Sequence, residues 1–254
     1  MSENQTQEIN KRKKSWARKT LDYLVNTPIH PQWLLLRKTH SGLQQVAANC
    51  RGSVLDIGCG RKTILDHLSE GIDYIACDYY STSTNWYHSP PDLYADAHQL
   101  PLKSDSIDCV LLLDVIEHLE DPQQALRQSF DALKQNGKVI ISIPFAYPIH
   151  DAPRDFQRLT CFGLQHQLNN AGFTETLIQE TSDDFESTGL LLNILLAKQG
   201  EAALRKNTLF GLLLSPLLLT CMLVINIAFV SASKLIKNKQ QLMPSGYFVT
   251  ASKS

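Results

Sequence analysis

Val54-Leu55-Asp56-Ile57-Gly58-Cys59-Gly60 is an apolar run that ends in a carboxylate and a G-x-G turn. Ile64, Leu65 and Leu68 follow at helical spacing, so the stretch predicts a buried strand, a tight turn and a helix. Glycines at 58 and 60 let the backbone approach a ligand where a Cβ would collide. A lone G-x-G is also an ordinary strand-to-helix turn. Asp56 narrows the reading, because a carboxylate there attracts an ammonium group and repels a pyrophosphate. Thr63 stands where a dinucleotide fingerprint would carry its third glycine. The expected ligand is a cationic nucleoside rather than a nicotinamide dinucleotide.

Outward from this turn, short apolar runs alternate with helical segments, the signature of βαβ units and a parallel sheet. The runs are Ser53–Ile57, Tyr74–Cys77, Cys109–Leu113 and Lys138–Ile143, with a weaker one at Leu93–Ala95. Pro31 to about Asn49 predicts a helix that buries Trp33, Leu34, Leu36, Leu43 and Val46. Asp121 is a natural N-cap, with Pro122 at the first helical position and Gln124 completing a capping-box-like pattern. Leu126, Phe130 and Leu133 recur on one face of that helix, and Asn136-Gly137 supplies a stop. Thr160–Asn170 reads as a further helix closed by Gly172, Phe173–Glu180 as a strand, and Gly246–Ala251 as the last strand.

A chain of 254 residues buries a full α/β core, and its net charge of −1 gives no reason to expect a nucleic-acid partner. The six cysteines form no C-x-x-C pair and several lie in apolar runs. No metal site or disulfide framework is expected from them, and a reducing compartment is. The basic segment Lys11–Lys19 lacks the apolar core of a secretion signal. It suits either an anionic surface or a solvated terminus.

Asp78 ends the second run, about 20 residues after the first turn, where Rossmann-like sites place an acid against ribose hydroxyls. Tyr94-Ala95-Asp96-Ala97-His98-Gln99-Leu100-Pro101 and Asp105-Ser106-Ile107-Asp108-Cys109-Val110 follow. The strings LDIGCG, ACD, ADAHQLPLKSDSIDCVLLLDVIEHLEDP and GKVIISIP resemble successive motifs of class I S-adenosylmethionine-dependent methyltransferases. They are most similar to the methyltransferase type 11 family, over roughly residues 52–182. The resemblance implies a Rossmann-like, mostly parallel sheet of seven strands, the last antiparallel, with helices on both faces. It implies S-adenosyl-L-methionine as cofactor, with Asp56, Gly58, Cys59 and Gly60 at its methionine end and Asp78 at the ribose. Asp96 and Ala97 would meet the adenine, and Asp114, with Val115, Glu117 and His118, would border the site. No Asn-Pro-Pro-aromatic tetrapeptide follows the fourth strand and no Pro-Cys nucleophile is present, which points away from nucleic-acid bases.

The segment from Pro144 to Thr160 should overhang the strand ends. It resembles a P-x-H-x-x-P-x-D-F-x-R-x-T pattern in type 11 relatives tied to envelope-polysaccharide and lipid-linked chemistry. His150, His118 and Asp155 are the candidates for a catalytic base. Asp155 and Arg158 could instead pair with each other, Thr160 could cap the next helix, and Glu117 with His118 could cap and orient a helix start. Transfer from a sulfonium chiefly needs alignment and exclusion of water, and a base only for a hydroxyl or a protonated amine. Two other readings stay open: a cofactor-binding scaffold without turnover, and a nicotinamide-dependent oxidoreductase, which Asp56 and Thr63 disfavour.

No charge interrupts the chain between Lys206 and Lys234, a run longer than the roughly 20 apolar residues that span a bilayer. If Gly246–Ala251 returns to the sheet, a single crossing is excluded. A hairpin bent at Pro216, or helices lying in the interface with Gly189–Ala197 as a second apolar piece, is expected, and a buried core helix is the plain alternative. The layout so read is a basic segment and leading helix over 1–50, a core over 51–182, an apolar insertion over 183–244, and the last strand over 245–254. The expected acceptor is a small molecule, a lipid-linked compound or an envelope glycan, met at the cytoplasmic face of a membrane.

Overall fold

The computed structural model describes residues 24–236 and 242–254. The basic segment Lys11–Lys19 and the lysines at 237 and 239 lie outside them. The chain divides into two compact units, one of His40–Asp184 with Asn238–Ser254, the other of Met1–Thr39 with Phe185–Lys237.

The first unit is built on seven strands: β1 (Ser53–Ile57), β2 (Asp73–Asp78), β3 (Leu93–Tyr94), β4 (Ile107–Leu113), β5 (Leu133–Pro144), β6 (Thr174–Glu180) and β7 (Gly246–Ser252). Their order in the sheet is β3-β2-β1-β4-β5-β7-β6. All pairings are parallel except those of β7, which runs antiparallel to β5 and β6. This is the mostly parallel, seven-stranded sheet with an antiparallel last strand that the family resemblance implies. Val54, Leu55, Val110, Leu111 and Leu112 are all fully buried, as expected of parallel strands covered on both faces.

The caps fall where the residues predict them. In α2 (Pro122–Ala132), which follows α1 (Trp33–Asn49), the Asp121 carboxylate accepts from the Gln124 N–H at 3.0 Å. In α3 (Cys161–Ala171), the Thr160 hydroxyl accepts from the Gly163 N–H at 3.1 Å. Gly172 closes α3 with φ 102°, a conformation costly for any residue with a Cβ. Two expectations need correction. The helix foreseen after Gly60 is only a 3₁₀ turn, Thr63–His67. Lys62 precedes it in the left-handed region, and Ser69, Glu70 and Gly71 leave too little chain for more turns. The stop at Asn136-Gly137 lies inside β5 instead of ending α2. Leu133 already pairs with Ile107, and the chain bulges through Asn136, at φ 63°, before Lys138 pairs with Cys109.

The second unit holds α4 (Asp184–Lys206) and α5 (Thr208–Leu235), joined through Asn207, whose side chain accepts from the Phe210 N–H at 3.1 Å. They form an antiparallel hairpin. A Cβ on Gly189, Gly200 or Gly211 would come within 3.0 Å of Phe229, Leu218 or Leu204 respectively, so small residues set the close approach. The Asn193 amide donates to Asn226 Oδ1 at 2.8 Å, and Asn226 donates to the Pro28 carbonyl at 2.6 Å. Buried Glu186 pairs with Arg37 and Lys38. Pro216 does not bend α5 into a hairpin of its own. The Ser215 hydroxyl donates to the Gly211 carbonyl at 2.7 Å in the turn where the proline offers no N–H, and the helix continues.

Candidate active site

The parallel strands end together, and a cavity of about 360 Å³ opens there. Gly58, Asp78, Asp96, Ala97, Asp114 and His118 line it. Asp56, Cys59, Gly60, His150 and Asp155 do not. The walls therefore come from the carboxyl ends of the parallel strands β1 to β5 and from the loops after them, as the open-sheet rule expects.

The glycine turn is built around Asp78. Its Oδ2 accepts from the Gly60 N–H at 3.0 Å and its Oδ1 from the Tyr79 N–H at 2.7 Å. The carboxylate is 4% exposed; burial raises its pKa, and these two donors oppose the rise. Gly58 has φ 71°, and a Cβ there would lie 2.5 Å from Val115 Cγ2. Gly60 has φ 49°, with the Tyr87 ring 3.4 Å from its missing Cβ. Gly58 is thus required by the turn itself, and the left-handed backbone of Gly60 favours glycine there. Asp56 is buried beneath the turn and accepts from the Tyr74 hydroxyl at 2.6 Å. Burial pushes its carboxyl up to about 6, although the Tyr74 hydrogen bond acts the other way. Burial likewise pushes the Cys59 thiol up to about 12, so it stays neutral.

Acidic groups dominate the lining. Asp78, Asp96, Asp114, Glu120 and Asp151 face a single guanidinium, that of Arg154. Arg154 stands 6.0 Å from the Tyr79 ring centre and 5.9 Å from that of Trp86. Tyr79, Trp86, Tyr87, Arg154 and Phe156 were not singled out in the sequence as site residues, and they form much of the wall. The aromatic cluster Tyr79-Tyr80…Trp86-Tyr87, directly after Asp78, was the available signal. Asp114 sits at the end of β4 with φ 54° and accepts from the Ser142 hydroxyl at 2.8 Å. A non-glycine residue held in that region is a feature of functional sites.

The histidines and acids from the two loops converge. His118 Nδ1 lies 2.6 Å from the Arg154 carbonyl, which can only accept, so this nitrogen carries the proton and Nε2 is left for other partners. The His118 and His150 rings meet edge to face at 5.0 Å. Asp155 stands behind His150, with its side chain 2% exposed, and accepts from the His150 backbone N–H at 3.0 Å. Arg158 pairs with it at 2.5 and 2.7 Å and holds its carboxyl down to about 2. The foreseen Asp155–Arg158 pair forms, though in irregular chain rather than across a helical turn. Glu117 is fully buried; desolvation, then the charge of Asp114, pushes its carboxyl up to about 8.

A family model described as a methyltransferase domain matches residues 32–180, more than half of the chain. The chain belongs to the methyltransferase-domain family. A relative in Mycolicibacterium smegmatis, named "Probable S-adenosylmethionine-dependent methyltransferase", is 28% identical over 160 residues, covering 58% of this chain and 61% of its own. The chain thus spans about three-fifths of that relative's length. An S-adenosylmethionine-dependent methyltransferase structure from Thermotoga maritima aligns with TM-score 0.52 at 16% identity, over 93% of this chain and 97% of that one. One from Archaeoglobus fulgidus aligns with TM-score 0.51 at 19% identity, over 92% and 99%. These two likenesses show the fold, the class I methyltransferase fold.

The residues fit this family's cofactor. S-adenosylmethionine carries a sulfonium and an ammonium, and the cavity offers several carboxylates and an aromatic wall, both attractive to cations. The turn after β1 leads into a 3₁₀ turn of five residues, so this crossover does not supply the long-helix N-terminus on which a dinucleotide's pyrophosphate sits. Asp78, fixed by two backbone donors, has acceptor capacity left for ribose hydroxyls.

Proposed function

We propose that the protein transfers a methyl group from S-adenosylmethionine to a small, lipid-linked or envelope-glycan acceptor that it meets at a membrane surface. The observation that carries the transfer is the acid-lined, aromatic-walled cavity at the strand ends, with Asp78 locked by Gly60 and Tyr79. The bound sulfonium would supply an activated methyl group and a neutral thioether leaving group. Asp78 would hold the ribose, Asp96 and Ala97 the adenine, and the region of Gly58 and Asp114 the methionine end. Asp56 would act from beneath, as a buried negative charge. His118, on the cavity wall, would face the acceptor, with Nε2 available to a proton or a cation. His150 and Asp155 would support it, since neither reaches the cavity and Asp155 is spent on Arg158.

The membrane part rests on α5. It is long and apolar enough to cross a bilayer, and 11% of its most apolar 18-residue window is buried, which a core helix would not show. Leu209, Phe210, Leu213, Leu217 and Val224 are exposed. Because β6 precedes α4 and β7 follows α5 in one sheet, a crossing by α5 would need a return by α4. Lys198, Glu201, Arg205 and Lys206 occupy the end of α4 that adjoins the start of α5, and four charges in hydrocarbon oppose that. An interfacial hairpin on the cytoplasmic face fits both facts.

The test incubates the full chain with methyl-labelled S-adenosylmethionine and a membrane lipid extract. Label in the lipid fraction with matching S-adenosylhomocysteine is the expected result. Cofactor binding without turnover on lipid, glycan or small-molecule fractions would overturn the activity.

A further inference from the structure

The geometry points to a divalent transition-metal site formed by Glu117, His118 and His150 at the edge of the cavity. Each residue offers one ligand atom, and these atoms lie within 4.8 Å of one another. Glu117 Oε1 is 3.7 Å from His118 Nε2 and 3.9 Å from His150 Nε2. Those separations are too long for hydrogen bonds. They approach the roughly 3.4 Å edge of a tetrahedron whose metal–ligand bonds are about 2.1 Å. A small contraction about a shared ion would close the set.

Two observations independent of the clustering support an ion. Both Glu117 carboxyl oxygens are buried without a hydrogen-bond partner, in a side chain that is 0% exposed. A buried carboxyl normally costs too much free energy to be left so, and coordination is one way to satisfy it. The second is the other edge of each imidazole. His118 Nδ1 faces the Arg154 carbonyl at 2.6 Å, and His150 Nδ1 lies 3.3 Å from Asp155 Oδ2. Arg158 Nη2 and the Pro148 carbonyl stand equally near His150 Nδ1, with Arg158 committed to Asp155. An acceptor behind Nδ1 fixes the tautomer that presents Nε2 to a metal, the arrangement found around metal-bound histidines.

The sequence offered no metal motif, because His118 comes from the turn after β4 and His150 from the loop after β5, 32 positions on. Two imidazoles and a carboxylate suit Zn²⁺, Fe²⁺ or Mn²⁺ and leave coordination positions open. His118 and Asp151 both line the cavity, with Asp151 Oδ2 3.9 Å from His118 Nε2, so an open position faces it. An acceptor oxygen could occupy that position; this last role rests on the methyl-transfer reading, whereas metal binding does not.

The full chain, stripped of metal with a chelator, is titrated with Zn²⁺ against a chromophoric competitor, and S-adenosylmethionine binding is measured on the same samples. One Zn²⁺ per chain is expected, and His150→Ala and Glu117→Gln should each weaken it at least tenfold while cofactor binding persists. Asp155→Asn, a positioning change, should weaken Zn²⁺ by tenfold or less. Co²⁺ in place of Zn²⁺ should show no thiolate charge-transfer band, which excludes the cysteines as ligands. Zn²⁺ affinity unchanged in folded His150→Ala, or no stoichiometric Zn²⁺ at all, overturns the site. Zn²⁺ binding without cofactor binding would instead defeat the methyl-transfer reading and leave the metal site standing.

Discussion

Strand β4 and helix α5 are both leucine-rich, and the fold treats them in opposite ways. Leu111 in β4 is 0% exposed, with neighbouring strands on both sides and side chains packed above and below. Leu213 in α5 is 73% exposed, on a helix that is apolar around most of its circumference. Apolarity alone therefore does not assign a residue to the core. What separates the two is partnership: β4 satisfies its backbone and buries its side chains inside one sheet. The α5 helix satisfies its own backbone and leaves many of its apolar side chains exposed.

That contrast can be broken most forcefully at these two leucines. Leu111→Ala should lower the unfolding free energy by about 2–5 kcal/mol, as large-to-small changes in a packed core do. Leu213→Glu should leave it within about 0.5 kcal/mol, yet sharply reduce co-sedimentation with anionic vesicles. Denaturant melts and vesicle sedimentation of both variants check this. A large stability loss at Leu213 with unchanged vesicle binding would make α5 a core helix after all.

A smaller effect is expected at Asp56. Its carboxyl titrates near 6 in the folded chain against an ordinary 3.8, so the folded state holds that proton more tightly than the unfolded state. Stability from this group is fullest at or below about pH 4 and is lost as pH rises through 6. Asp56→Asn should therefore raise the unfolding free energy by about 1–3 kcal/mol at pH 7.5, with the gain vanishing near pH 4. It should also weaken S-adenosylmethionine binding, the usual trade at a functional site. Equal stability of parent and variant at pH 7.5 would mean that the buried charge carries no such cost.

Much of the sheet was legible in the sequence because parallel strands are short, apolar and punctuated. Ser53–Ile57 matches β1, and Gly246–Ala251 falls one residue short of β7. The caps at Asp121 and Thr160 were legible because capping is local chemistry. The first crossover misled, since Ile64, Leu65 and Leu68 carry helical spacing through a segment too short and too interrupted for a helix. Pro216 misled in the other direction, because α5 runs through it as one helix from Thr208 to Leu235 despite the missing N–H. In the site, the strand-end acids announced themselves by position. The approach of Arg154 to Tyr79 and Trp86 and the meeting of Glu117, His118 and His150 did not, because loops bring them together without any periodic pattern.

The central claim is that the cavity at the strand ends binds S-adenosylmethionine through Asp78. Calorimetric titration of the cofactor into the parent chain and into Asp78→Ala tests it most directly. The parent should bind one equivalent, and the folded variant should bind at least tenfold more weakly, as loss of charge-assisted hydrogen bonds worth about 1.5–3 kcal/mol requires. An unchanged dissociation constant in the variant, or no binding by the parent, would contradict it.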